Sequence, residues 1–242
     1  MVDDARPASL ISDSLRAHLL RFQAPLAPRY DASAGARVLL AFAAVALALF
    51  GALRFGIDAI GLRGSPAASS GFVLALALGF VAAQRFLVRL PFADVGLRDW
   101  TAWTRRERLY LFQVVPLAVA TFAFVFRAHL AALVERHGPA GFVVSSLATG
   151  LLWGMVQEFM YRGWLQTELT RRLGALGGLL AANLVFTFGP LHFSYLTQAG
   201  GPNLGGLAAV FAIGLFFGLV FQRSGNLWLP AILHGLWPLN MP

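Results

Sequence analysis

Apolar runs of about twenty residues recur along the chain, parted by short polar stretches. A membrane-spanning helix needs about 20 consecutive apolar residues, so the pattern predicts a series of spans. The runs lie near 37–54, 71–90, 109–127, from 140 to the Gln157-Glu158 pair or beyond, 175–192, 204–221 and 227–240. The last is short and is interrupted by Pro230 and Pro238. Residues 8–25 set Leu10, Ile11, Leu15, Leu19, Leu20 and Phe22 among Asp13, Arg16 and Arg21. That is the pattern of a short amphipathic helix lying on a membrane surface, although a disordered tail fits it equally well. The expected fold is all-α, a polytopic transmembrane helical bundle of about seven spans with an N-terminal interfacial helix. The expected division is a cytoplasmic segment 1–36 and a transmembrane domain 37–242. No internal repeat, low-complexity tract, soluble domain or cleavable signal peptide is expected.

Composition strengthens this picture. The 242 residues are 58% hydrophobic and 12% charged, whereas a soluble domain carries about 25% charged residues. A water-facing surface cannot be built from so little charge, but a lipid-facing one can. Every one of the 19 basic residues is arginine, and the net charge is +8. A basic chain can signal nucleic acid, but these arginines sit in short turns between apolar runs, so no nucleic-acid partner is expected. They alternate instead. Arg85, Arg89, Arg98, Arg105, Arg106 and Arg108 flank the second turn, Arg171 and Arg172 the fourth, and Arg223 the sixth. The first and third turns hold only Arg54, Arg63, Arg127 and Arg136. The positive-inside rule then places the N-terminus in the cytoplasm. The lysine-free, Ala- and Arg-rich usage points to a bacterial inner (cytoplasmic) membrane. There is no cysteine, which excludes disulfides, thiolate metal sites and a cysteine nucleophile.

Four ionisable residues fall within apolar runs: Glu158, Arg162, His192 and His234. Each costs about 2.5–3.5 kcal/mol to insert at a helix centre and usually has a partner or a task. Glu158 and Arg162 are four apart and share a helical face, which also suits a structural ion pair. Each histidine alone is more often a hydrogen-bonded structural residue than a ligand or base. Antiparallel runs turning near Leu173-Gly174 bring Glu158 and His192 to depths differing by about 6 Å. The turn at 223–226 lies on the same side, and His234 follows it by about 14 Å. One carboxylate and two imidazoles can therefore share a cavity. Such a set could activate water and stabilise an oxyanion, bind zinc, or relay protons in a transporter.

The same residues carry a resemblance. Gln157-Glu158-Phe159-Met160-Tyr161-Arg162-Gly163 is similar to a signature E-E-x-x-x-R-G. Phe188-Gly189-Pro190-Leu191-His192 is similar to F-x-x-x-H, and the segment from Asn226 to His234 to one that ends in H-x-x-x-N. In this order, over about residues 140–240, they resemble the CPBP intramembrane proteases, or Abi family. That family includes type II CAAX prenyl endopeptidases and bacteriocin-processing proteins. The resemblance implies an intramembrane endopeptidase of glutamic type, with a cavity open toward the cytoplasm and a membrane-associated protein or peptide as substrate. It implies His192 as partner of the base on the water and His234 as oxyanion donor, and, since the family's activating first glutamate is replaced here by Gln157, Glu158 as the base in its stead. Arg162, Gln157 and Asn240 would support them. No cofactor is favoured, zinc being the possible exception. Two departures stand out. Gln157 occupies the place of the family's first glutamate, and Pro238 occupies the place of its final asparagine, for which Asn240 could substitute. A member without catalysis that binds a membrane partner is the alternative reading.

Overall fold

The computed structural model describes residues 30–52, 54, 66–198 and 200–236, without the side chains of 66 and 144–146. The N-terminal amphipathic segment and Asn240 lie outside the described residues. Helix α1 spans Ala32–Gly51 and starts at Asp31, whose side chain accepts a hydrogen bond from the Ala34 amide. Helix α2, Pro66–Ala82, runs on through a wide π-helical stretch, Ala83–Val88. Two short 3-10 turns, Phe92–Val95 and Trp100–Ala102, lead to α3, Arg105–Val125. The start of α3 is a reciprocal capping box of Thr104 and Glu107, which satisfies orphan amides at the first turn.

Helix α4, Arg127–Gly141, fills a stretch expected to be a loop. Only Leu133 of it is buried, so no periodic core face marked it in the sequence. A π-helical stretch, Phe142–Ala148, joins it to α5, Thr149–Glu158. A second such stretch, Phe159–Gln166, continues α5, and all eight of its residues are buried. Helix α6, Thr167–Phe188, is broken at Gly174, where φ is 74°. That left-handed conformation suits glycine, and the chain reverses there, as the sequence predicts. After the 3-10 turn Phe193–Tyr195 come α7, Leu204–Ser224, and α8, Trp228–Gly235.

The chain is an all-α bundle and a multi-pass membrane protein. By length and composition α1, α2 with its extension, α3 and α7 can each cross a bilayer alone. The remaining expected spans are helical but shorter or interrupted by charge. Helix α3 shows how the bundle meets lipid: Leu109, Phe112, Leu117 and Phe124 are all exposed, an arrangement that water would penalise and hydrocarbon does not.

The centre is the column from α5 to Gln166. Its partner α7 is held in register by polar rungs one helical turn apart. Arg162 Nη2 donates to the Gly214 carbonyl at 2.7 Å, and Gln166 Nε2 to the Gly218 carbonyl at 2.9 Å. Thr170 reaches Gln222 one turn further on. Two helices in phase, each repeating every four residues, keep such rungs aligned. On the other flank, Trp164 Nε1 donates to Gln84 Oε1 at 2.7 Å.

Helix α8 is fixed at both ends. At its start, the Leu227 amide donates to the Gly96 carbonyl at 2.9 Å, and Asn226 Nδ2 to buried Glu107. Arg98 pairs with the same carboxylate and with the Ser224 carbonyl. Further along, α8 packs tightly on α5. A Cβ on Gly154 would lie 2.6 Å from Gly235 Cα, so glycine at 154 is what allows the approach. Small residues four apart favour such contacts between helices in a membrane.

Candidate functional site

Gly150, Gly154 and Glu158 follow one another at single-turn intervals on α5, so the glycine contact with α8 delivers Glu158 to His234. Glu158 Oε1 lies 2.7 Å from His234 Nδ1. Its other oxygen lies 3.3 Å from Arg162 Nε. Both Glu158 and Arg162 are essentially without solvent contact. Each charge thus offsets the other, which the cost of burying either alone demands. The Arg162 guanidinium also lies over the Phe186 ring, 4.4 Å from its centroid.

The His234 ring is held on two sides. Phe217 stacks on it at 5.1 Å, and Phe186 meets it edge-on at 6.1 Å. His192 arrives from the loop after α6 and packs edge-on against the same Phe186 at 4.7 Å. Its Nδ1 lies 2.8 Å from the Phe186 carbonyl. A carbonyl only accepts, so Nδ1 carries the proton and Nε2 is left with a lone pair. In His234, Nδ1–H likewise donates to the Glu158 carboxylate, leaving Nε2 on the far side of the ring.

Beside these groups lies a cavity of about 560 Å³. Gln157, His192 and His234 are on its wall, with Tyr195, Asn203 and Trp153. Ile213, Val210 and Phe217 supply an apolar side. Glu158 is not among the lining residues. It sits behind His234 and bonds to that ring and to Arg162, not to His192. No direct hydrogen bond joins Glu158 to His192, whose Nδ1 is on the Phe186 carbonyl instead. The neighbour faces the cavity instead: Gln157 is 3% exposed, and its Oε1 has no hydrogen-bond partner.

Glu158, Arg162, His234 and Gln157 thus form one cluster, with His192 across Phe186 from it. Among the described residues no three His, Cys, Asp or Glu side chains converge as metal ligands. Glu158 and His234 meet, but His192 bonds elsewhere. Sequence reasoning missed Phe186 and Phe217, whose apolar character is indistinguishable from that of lipid-facing neighbours. It also missed Tyr195 and Asn203. Asn203 did carry a signal, since its side chain caps α7 by accepting from the Gly206 amide at 2.8 Å, the habit of asparagine before an apolar helix.

Comparison with curated proteins and with solved structures gives no match. Residues 139–239 match the family model described as type II CAAX prenyl endopeptidase Rce1-like. That segment contains the whole cluster just described, and the match supports the CPBP, or CAAX protease, family for this part of the chain.

Proposed function

We propose that the protein is an intramembrane endopeptidase that hydrolyses a peptide bond in a membrane-proximal or C-terminal segment of a membrane-associated protein. The observation that carries this reading is a pair of imidazoles on one cavity wall, each with its Nδ1 proton committed. His192, with Nε2 free, takes a proton from water as the resulting hydroxide adds to the peptide carbonyl. His234 in its doubly protonated form, with Nδ1 on Glu158, donates from Nε2 to the oxyanion. Collapse breaks the C–N bond, and the proton held by His192 passes to the departing amine. Glu158 is then a positioning residue that acts through His234, rather than the base itself. Arg162 holds Glu158 in place. The Gln157 amide oxygen accepts from water or from a substrate N–H. No step requires a metal.

One observation favours a second reading. Gln157 stands on the wall where a carboxylate would be a ready base, and an amide cannot take that role. A protein that binds a membrane partner without cleaving it would tolerate this. The purified protein, with His192→Ala and Glu158→Ala, assayed against a membrane peptide library, decides between them. Cleavage by the parent and loss in both variants supports the peptidase. No cleavage by the parent, or cleavage unaffected in both variants, sinks it.

A further inference from the structure

Arg162 has three nitrogens, and Glu158 and Gly214 account for two of them. Nε faces the Glu158 carboxylate at 3.3 Å, and Nη2 donates to the Gly214 carbonyl at 2.7 Å. The third, Nη1, is buried and has no hydrogen-bond partner. Asn183 of α6 has the opposite deficit. It is 2% exposed, and its Nδ2 donates to the Phe211 carbonyl of α7 at 3.0 Å. A carbonyl only accepts, so that bond fixes which end of the amide is the nitrogen. Asn183 Oδ1 is left buried without a donor.

Gly214 is where the two orphaned atoms come together. A Cβ there would lie 2.3 Å from Asn183 Oδ1 and 2.7 Å from Phe186 Cδ1. The Arg162 guanidinium lies over that same Phe186 ring, and its Nη2 is on the carbonyl of that same glycine. Asn183 and Phe186 are three apart on α6 and so share a face. An unpaired donor and an unpaired acceptor are both costly when buried, and neither can turn to bulk water from inside the bundle. Their chemistry selects what could join them. A cation would be repelled by the guanidinium, and an anion by the amide oxygen. Water accepts from the one and donates to the other, the role buried waters commonly fill.

We infer that Asn183 is a positioning residue of the site: a water held between its Oδ1 and Arg162 Nη1, beside Gly214, fixes the guanidinium against Glu158. The contacts then run from Asn183 through water, Arg162 and Glu158 to His234 Nδ1. Asn183 is not among the residues lining the cavity, so it acts through Arg162 and not on a substrate. Its share in turnover rests on the peptidase reading above, whereas the bound water does not.

A high-resolution crystal structure of the parent should show a water within hydrogen-bond distance of both Arg162 Nη1 and Asn183 Oδ1. Direct contact between the two atoms, or a water that meets only one of them, overturns the bridge. Thermal unfolding in detergent tests the coupling in solution. Asn183→Leu should lower the unfolding temperature of the parent. It should lower that of Glu158→Gln with Arg162→Met by much less, because the guanidinium is gone and coupled sites are not additive. Asn183→Ala, run in the same two backgrounds, should show the same ordering and serves where the leucine variant does not fold. Equal losses in both backgrounds overturn the coupling. On a cleaved membrane peptide, Asn183→Leu should lower kcat by about 10²-fold with KM unchanged, the scale of a misplaced reacting group. A raised KM with kcat retained overturns the positioning role. A parent that cleaves nothing sinks the peptidase reading alone, since the crystal structure and the unfolding comparison do not depend on turnover.

Discussion

Glu158 and His234, 76 residues apart, meet at 2.7 Å between Oε1 and Nδ1 across the glycine contact of α5 and α8. Arg162 closes the other side of the carboxylate at 3.3 Å. This order, guanidinium to carboxylate to imidazole to cavity, makes Glu158 the joint between a buried ion pair and the imidazole on the cavity wall. Glu158→Gln is expected to abolish cleavage and to lower stability by about 3–5 kcal/mol, because it leaves Arg162 buried without a counter-charge. Adding Arg162→Met to that variant should recover much of the thermal stability in detergent and none of the activity. Recovery of activity in the double variant would remove the role assigned to the carboxylate.

Gln157→Glu places a carboxylate on the cavity wall beside the two histidines. Positioned bases contribute roughly 10²–10⁴-fold, so turnover on a cleaved membrane peptide should rise within that range. A rate equal to or below the parent's would show that position 157 does not reach the reacting water.

His192→Gln removes the free Nε2 while keeping a group that can donate to the Phe186 carbonyl. Turnover should fall by roughly 10²–10⁴-fold, while the unfolding temperature changes little, since His192 is half-buried at the edge of the bundle. A large drop in unfolding temperature with turnover retained would make His192 a structural residue. Metal analysis of the active parent is a companion measurement, and stoichiometric zinc would contradict the proposed chemistry.

Gly154→Ala tests the helix contact that brings the pair together. The added methyl would lie 2.6 Å from Gly235 Cα and 2.8 Å from the Ala231 carbonyl oxygen, so α8 must move. Overpacking of this kind costs about 1–3 kcal/mol, and the shift carries His234 away from its place. Both thermal stability and cleavage should drop. Unchanged cleavage would mean that the approach of α8 does not set the site.

An acid limb is expected at the Arg171-Arg172 turn. Burial raises the pKa of Glu168, but hydrogen bonds from Arg171 and Arg172 outweigh it and hold the carboxyl below its ordinary 4.5. A lowered folded-state pKa contributes stability above the ordinary value and loses it as pH falls through the folded value. Unfolding temperature should therefore decline below about pH 4.5, and Glu168→Gln should flatten that decline. An unchanged slope in the variant would assign the acid limb to other groups.

The apolar runs and the break at Gly174 were legible in the sequence, because a bilayer and a left-handed turn each restrict the residues that can serve. Composition alone established a membrane protein of helices, and the four ionisable residues in apolar runs marked the region of the site. Spacing along helices could say that Glu158, His192 and His234 lie at comparable depth. It could not say which of them touch, because depth is set by counting residues while contact is set by rotation and packing of separate helices. Only the tertiary structure turned Glu158 toward His234 and behind the wall, and put Gln157 on it. The reason is the glycine contact between α5 and α8: what lies against a glycine's missing Cβ is decided by the other helix, and no local pattern records it.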